Sequence, residues 1–348
     1  MRTAPIETTM PAHRHGSGAP DDVARMRDQL EPTRFGQTRI EPSPDSDHQS
    51  TSAGVERAPA THHNVPLTVI VAALDEELNL ADALASVAWA DEIVVVDSGS
   101  ADATVEIAQR AGASVVPFAY PGYGPKKKNW ALETLDLRNE WVFLLDADER
   151  VTDELAAEIE DAIKNGSAAG YYVDREFVFM GRSLRCFRPN WNLRLFRRDL
   201  GRFEDLGLFD LPGTGDNEVH EHVVVAGRVG YLRSALLHHD YRGLTEWLDR
   251  HNKYATWEAH LYRRFRKEPV GVGPVGFLRL HAAARKRVLR RVWTRLPGRP
   301  LLRFAVWYVF RRGFLDGRPG FVFCVLMSYH EFIIGAKLRE LRQRGLGA

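Results

Sequence analysis

Two stretches of the chain carry carboxylates at spacings that can do chemistry. In WVFLLDADER, residues 141–150, Asp146, Asp148 and Glu149 follow an apolar run, with only Ala147 among them. A short unbroken apolar run of this kind reads as a buried strand. Like charges crowded at its end repel one another and lose hydration. Residues two apart on an extended segment point the same way, so Asp146 and Asp148 can converge on one ion while Ala147 turns away. Few, hard oxygen donors suit Mg2+ or Mn2+, which complete their shell with water and phosphate oxygens. Such an ion would let the carboxylates tolerate one another; a solvated strand-to-helix turn is the alternative. In NEVHEHVVVAGRVG, residues 217–230, strand alternation puts Val219, Glu221, Val223 and Val225 on one face. Glu221 then points inward, where desolvation raises its pKa towards working pH, as a general base requires. Adjacent side chains diverge on a strand, which disfavours Glu218, His220, Glu221 and His222 as one metal shell. Glu204 and Asp205 are rival bases without an adjoining apolar strand.

The elements around these residues alternate. Val65–Ala73 is apolar and β-branched, a strand, and helical spacing follows through Leu80, Leu84 and Val87. Residues 93–96 form a second strand that turns at Asp97, Ser98, Gly99 and Ser100. Asp102 then caps a helix closed by Gly112, and a third strand begins at Ser114. After the acidic cluster, Thr152 is an N-cap, Leu155, Ile159 and Ile163 form an apolar stripe, and Gly166 is the stop. This alternation predicts a mostly parallel sheet covered on both faces. Ligands bind such sheets at the carboxyl ends of the strands. Glu76, Asp97, Asp146 and Asp148 all fall on that edge.

The chain carries, in order, DEIVVVDSGSADATVEIA, GYGPKKKNWALE, WVFLLDADERV, NLRLFRR, EVHEHVVVAGRVG and LLHHDYRGL. Together these resemble family 2 of the inverting glycosyltransferases, in the branch of lipopolysaccharide-core β-1,4-glucosyltransferase-like proteins. The similarity covers residues 65–245 and extends more loosely beyond. It implies the α/β glycosyltransferase A fold, a Rossmann-like nucleotide-binding sheet with an acceptor-binding half. Residue by residue, it implies that Asp97 bonds the nucleotide base and that Lys128 and Asn129 contact the nucleotide. Asp146 would face ribose and metal, Asp148 would ligate the metal directly, and His238 would be a third ligand. The resemblance also selects Glu221 as the base and places Arg194 near the substrate. The family usually has Thr-Tyr-Asn-Glu-Glu where this chain has Ala73-Leu74-Asp75-Glu76-Glu77, with Glu76 the substrate-binding candidate there. Trp191 could stack on a sugar face.

Composition sets the frame. The 348 residues are 44% hydrophobic and 27% charged, as in globular proteins. The formal charge of +1 announces no nucleic-acid partner. Two cysteines, Cys186 and Cys324, are too few for a thiolate cage and fit a reducing compartment. Residues 1–64, rich in Pro, Ser, Thr, Gly and His, read as a disordered leader, and 65–245 as the catalytic domain. Residues 246–348 read as a basic, aromatic, helical region. Residues 262–299 hold twelve Lys and Arg against the single acid Glu268, with Leu278, Leu289, Val292 and Trp293 among them, as in an interfacial amphipathic helix. The apolar stretch 321–334 is interrupted by His330 and Glu331 and falls short of the roughly 20 residues a spanning helix needs. The expectation is a membrane-associating region on the anionic inner face of the plasma membrane, the enzyme being cytoplasmic; a solvated helical subdomain is the alternative.

These residues predict a glycosyltransferase dependent on Mg2+ or Mn2+. Its donor would be a nucleotide sugar, a UDP-sugar by the family pattern, and its acceptor a lipid-linked saccharide of the cell envelope or an exopolysaccharide. A sugar-1-phosphate nucleotidyltransferase and a non-catalytic, membrane-docked nucleotide-sugar-binding scaffold are the competing readings.

Overall fold

The computed structural model describes residues 64–122, 125–204, 222–269 and 282–345, with residues 282–287 described by their backbone alone. The expected leader, apart from Asn64, lies outside the described residues, and so do Asp205, Glu218, His220, Glu221 and Leu278.

Strands β1 (Val65–Ala73), β2 (Ala90–Asp97), β3 (Ser114–Pro117) and β4 (Trp141–Asp146) form a parallel half-sheet in the order β3-β2-β1-β4. The sheet continues through β8 (Trp191–Arg197), β6 (Gly170–Phe179) and β11 (Val229–His238) to β5 (Glu149–Val151). Strand β8 runs antiparallel to both neighbours, β11 pairs parallel with β6, and β5 pairs antiparallel with β11. Asp146 and Glu149 are three residues apart in the chain, yet β8, β6 and β11 separate their strands in the sheet. The sheet must therefore curl until its far edge returns to the end of β4, and the acidic turn bridges the gap.

Side-chain alternation in the central strands fills two cores. Val69, Val71, Phe143 and Leu145 face helices α1 (Leu80–Ala85), α2 (Thr104–Arg110) and α4 (Asp153–Asn165). Ile70, Val142 and Leu144 face α3 (Lys127–Thr134) and the ribbon of β9 (Gly201–Phe203) with β10 (Val223–Val225). This is the period-2 burial of a sheet covered on both sides. Thr152 caps α4 as expected, its hydroxyl accepting from the Leu155 amide at 3.2 Å. Two expected helices are displaced at their ends. α1 stops at Ala85, where the Ser86 hydroxyl donates to the Ala83 carbonyl at 2.7 Å, so Val87 belongs to the turn. α2 begins at Thr104, and Asp102 accepts from the Thr104 amide at 3.0 Å from just outside the helix.

Helix α5 (Gly243–Lys267) leaves the sheet from the strand after His238. It is followed by α6 (Ala282–Trp293), α7 (Arg299–Phe304), a π turn (Ala305–Phe310), a 3-10 turn (Gly313–Asp316) and α8 (Gly317–Gln343). The short β7 (Arg182–Ser183) pairs with β6, and Phe177, Phe179, Leu184 and Cys186 from this corner pack with Phe323 and Cys324 of α8. The helical run Gly313–Gln343 spans 31 residues and is long and apolar enough to cross a membrane by length and composition. The apolar stretch 321–334 read from sequence lies inside this helical run, which begins before it and continues past it. Trp293, one of the apolar residues read in the basic helix, packs inward and donates its indole N–H to Glu331 at 3.2 Å.

Candidate active site

The acidic turn is built by its own carboxylates and two basic side chains. Glu149, fully buried, folds back so that the Asp146 amide donates to its Oε2 at 3.0 Å. Arg194 Nη2 donates to Asp146 Oδ2 at 2.7 Å and to Glu149 Oε1 at 2.6 Å. Lys128 Nζ donates to Asp146 Oδ1 at 2.7 Å. Burial alone would raise the Asp146 pKa, but Arg194 and Lys128 outweigh it and hold the carboxyl well below its usual range. Burial pushes Glu149 up against the pull of Arg194.

Asp148 has a separate set of partners. Its Oδ2 lies 3.1 Å from His238 Nε2, 3.6 Å from Arg242 and 3.8 Å from Arg250. His238 is delivered by register, standing opposite Glu149 where β11 pairs with β5. Burial opposes ionisation of Asp148, yet His238 and then Arg242 hold its carboxyl far below the usual value. Arg242 also donates to Glu76 Oε1 and Asp240 Oδ1, each at 2.8 Å. Its single charge is thus divided among three carboxylates. Burial therefore dominates at Glu76, and with Asp148 and Asp240 nearby it pushes the carboxyl up to about 7 despite Arg242. Asn79 ties the two segments together, donating to Glu76 at 2.9 Å and Asp240 at 3.2 Å and accepting from the Tyr241 amide at 2.9 Å.

The neutralisation assigned to a metal from the sequence is carried here by side chains. Lys128 and Arg194 serve Asp146, while Arg242 and Arg250 serve Asp148, with His238 in hydrogen-bond reach. Among the described residues no three His, Cys, Asp or Glu side chains are grouped as a metal shell. Asp148 and His238 do stand at the spacing of two neighbouring ligands. Ligand bonds of about 2.1 Å at right angles put neighbouring donors about 3 Å apart, the spacing of Asp148 Oδ2 and His238 Nε2. The other imidazole nitrogen, Nδ1, is buried without a hydrogen-bond partner. Asp146 has both oxygens bonded to Lys128 and Arg194.

The remaining candidates fall at the same edge or behind it. Glu76 follows β1 and Asp97 ends β2, on the same carboxyl edge as Asp146 and Asp148. The Asp97 carboxylate accepts from the Gly99 amide at 2.9 Å and the Ser100 amide at 3.0 Å, so it shapes its own turn. Asn129 faces Phe203: it donates to the Phe203 carbonyl at 3.1 Å and accepts from the Phe203 amide at 2.8 Å, which fixes β9. Arg194 is buried beneath the acidic turn. Trp191 is half exposed, edge-on to Tyr231 with ring centroids 5.0 Å apart, and Tyr231 stacks on Tyr172 at 5.1 Å. On β10, Val223 is buried and Val224 exposed, the alternation expected there, while Glu221 lies outside the described residues. Sequence reasoning missed Asp240, Arg242, Arg250 and Asn79. The quoted LLHHDYRGL contains the first two, but only their partners give them meaning. Lys127, read from the sequence as added positive charge beside Lys128, is instead buried with its Nζ donating to the Ala73 carbonyl at 2.9 Å.

A curled sheet with parallel strands ending in acidic residues, closed by antiparallel strands at its far side, defines the glycosyltransferase A class. The chain matches the family described as Glycosyl transferase family 2 over residues 68–215. It is 32% identical over 231 residues to the lipopolysaccharide core biosynthesis glycosyltransferase LpsC of Rhizobium meliloti (strain 1021), covering 62% of this chain and 81% of that one. An uncharacterized glycosyltransferase of Rickettsia bellii (strain RML369-C) is 28% identical over 268 residues, covering 72% and 78%. Among solved structures, S. aureus TarS 1-349 is similar with a TM-score of 0.40 at 15% identity, covering 80% of this chain and 91% of that one. The chain belongs to glycosyltransferase family 2 and is a glycosyltransferase.

Proposed function

We propose that the chain transfers a sugar from a nucleotide-diphosphate donor, UDP first among those to test, to a saccharide of the cell envelope or an exopolysaccharide, with inversion at the transferred carbon. Residues 65–245 are the catalytic domain in this reading. Asp148 and His238 hold a Mg2+ or Mn2+ ion, which when bound supplies Lewis-acid charge to the leaving diphosphate. Asp146, oriented by Lys128 and Arg194, faces the ribose side, and Lys128 adds positive charge beside the phosphates. Asp97 and Glu76 line the nucleotide side of the edge. Glu221 takes the proton from the acceptor hydroxyl as that oxygen attacks the sugar from the face opposite the departing nucleotide. The name of the Rhizobium relative supports a lipid-borne acceptor, and the enzyme then works from the cytoplasm at the inner face of the plasma membrane.

The observation that carries this reading is the Asp148–His238 pair at the carboxyl edge of the parallel strands, with Lys128 and Asp146 beside it. Residues 74–79, after β1, contain no glycine and are tied down by Glu76 and Asn79, which argues against the phosphate-cradling loop of a nucleotidyltransferase. The test is incubation of the full chain with Mn2+, a panel of nucleotide sugars and a saccharide acceptor, followed by NMR of the product. Consumption of one donor and a product of opposite anomeric configuration are expected. Retention of configuration would refute inversion, and turnover of no donor would refute the proposed transfer.

A further inference from the structure

The C-terminal helices carry apolar side chains outward. Leu301, Val309, Phe310, Phe314, Leu315 and Phe321 are all exposed, Leu301 to 77% and Phe310 to 78%. Two of them, Phe314 and Phe321, are joined through the ring of Tyr308, and the others lie beside these along the same helices and turns. Phe304 meets Tyr308 at 5.0 Å, and Tyr308 meets Phe321 at 5.7 Å and Phe314 at 6.3 Å. Soluble monomers rarely expose so extended an apolar patch. Arg312 and Arg318, both exposed, bracket Phe314 and Leu315. Asp316 is the only acidic residue between Ala282 and His330, and it is fully buried. An apolar surface rimmed by cations and free of exposed acid complements anionic headgroups above acyl chains. A second copy of this chain would set arginine against arginine.

The opposite face of α8 is already committed. Glu331 is buried with Arg299 Nε at 3.3 Å and Arg303 Nη2 at 2.6 Å, and His330 lies 3.4 Å from Glu258. Phe323 and Cys324 are packed into the corner of the sheet. At 1.5 Å per residue α8 is about 40 Å long, enough to span. Spanning would tear it from this packing and put Glu331 into hydrocarbon without its arginines, a costly placement for a charge.

We propose that the face formed by α7, the two turns and α8 docks on an anionic membrane surface, lying in the plane of the interface without crossing it, and that it holds the catalytic edge against the bilayer. The His238 ring is 5.0 Å from Phe177, and Phe177 is 5.4 Å from Phe323, two residues from exposed Phe321. Two ring contacts and the thickness of α8 thus separate the site from the docking face, a path of about 20 Å. The acceptor this geometry suits is a lipid-borne saccharide whose reacting hydroxyl lies within the first few sugars of its anchor. That last point rests on the proposed transfer reaction; the docking does not.

The test is flotation of the full chain with phosphatidylcholine vesicles, with and without phosphatidylglycerol, in the absence of donor and acceptor. Wild type is expected to float with the anionic vesicles, less with neutral ones, and less as salt rises. Leu301→Asp with Phe310→Asp, both at exposed positions, should keep the thermal midpoint and lose binding by more than about tenfold. Arg312→Glu with Arg318→Glu should abolish the preference for anionic lipid. Alkaline carbonate should release the bound protein. No flotation of wild type, unchanged flotation of the Leu301 and Phe310 variant, or resistance to carbonate would each overturn the docking. So would a dimer broken by that variant in a chain that binds no vesicles. On a water-soluble acceptor the variant should match wild type, and on a vesicle-borne acceptor it should fall by more than about tenfold. A wild type that docks but transfers to neither acceptor overturns the proposed reaction and its lipid-borne acceptor, leaving the docking in place.

Discussion

Asp148 Oδ2 stands 3.1 Å from His238 Nε2, although ninety residues of chain separate the two. The pairing joins the turn after β4 to the last residue of β11, and it exists because β5 pairs with β11 in register. On sequence alone, removing one carboxylate from a like-charged cluster relieves repulsion. The geometry reverses that sign. Asp148→Asn leaves Arg242 and Arg250 short of a counter-charge and takes the carboxylate from His238, so urea denaturation near pH 7 should show a loss of about 3 kcal/mol. Because the Asp148 carboxyl is depressed, its contribution is present above the unfolded value of 3.8 and fades as pH falls towards its lower folded value. Wild type and variant should converge in acid. Equal stability at pH 7 would show that the pairing contributes nothing.

Arg194 joins Asp146 to Glu149, and both acids lose a partner when it is truncated. Arg194→Met should cost about 3–5 kcal/mol, the range for breaking a buried ion pair from one side. Arg194→Lys should recover only part, since one ammonium does not reproduce a planar fork. Chemical denaturation of the three proteins settles the order, and full rescue by lysine would contradict the bridging geometry.

Glu76 predicts a pH dependence of opposite sign. Its carboxyl is ordinarily near 4.5 and is raised to about 7 in the fold. The folded protein therefore binds this proton more tightly than the unfolded chain. Its stabilising contribution is greatest below about pH 4.5 and is lost as pH rises through about 7. The difference across that window is about 3 kcal/mol. Glu76→Gln should flatten this limb in a series of thermal unfolding curves. A wild type whose limb matches the variant's would contradict the burial of this carboxyl.

Asn129 separates a structural role from a nucleotide contact. Its amide satisfies both backbone groups of Phe203, the last residue before the β9 strand leads towards Glu204. Asn129→Ala should destabilise the fold by about 1–3 kcal/mol by leaving those groups unpaired. A variant of normal stability with donor KM raised more than about tenfold would instead favour the nucleotide contact implied by the family resemblance.

Much of the sheet was legible because its signals are local. The runs that became β1, β2 and β4 are apolar and β-branched, Thr152 and Gly166 bracket α4, and Asp97 and Asp146 fall at strand ends by alternation alone. β5 was not legible: three residues, Glu149, Arg150 and Val151, show no strand pattern, and only pairing with β11 makes them one. The charge balance was equally hidden. Arg242 meets Glu76 across 166 residues, and Asn79 meets Asp240 across 161, distances at which no spacing rule operates. The outward face of the C-terminal helices was read as a basic helix, because charge is visible in sequence and the direction of an apolar side chain is not.

The most direct measurement is calorimetric titration with UDP, or with the diphosphate of whichever nucleotide the donor screen selects, with and without Mn2+, on wild type, Asp148→Asn and His238→Ala. Binding by wild type should require the ion, and both variants should lose the ion-dependent part at a temperature where each is shown to be folded. Binding that is equally tight without Mn2+, or unchanged in folded Asp148→Asn, would contradict the assignment of this edge as the donor site.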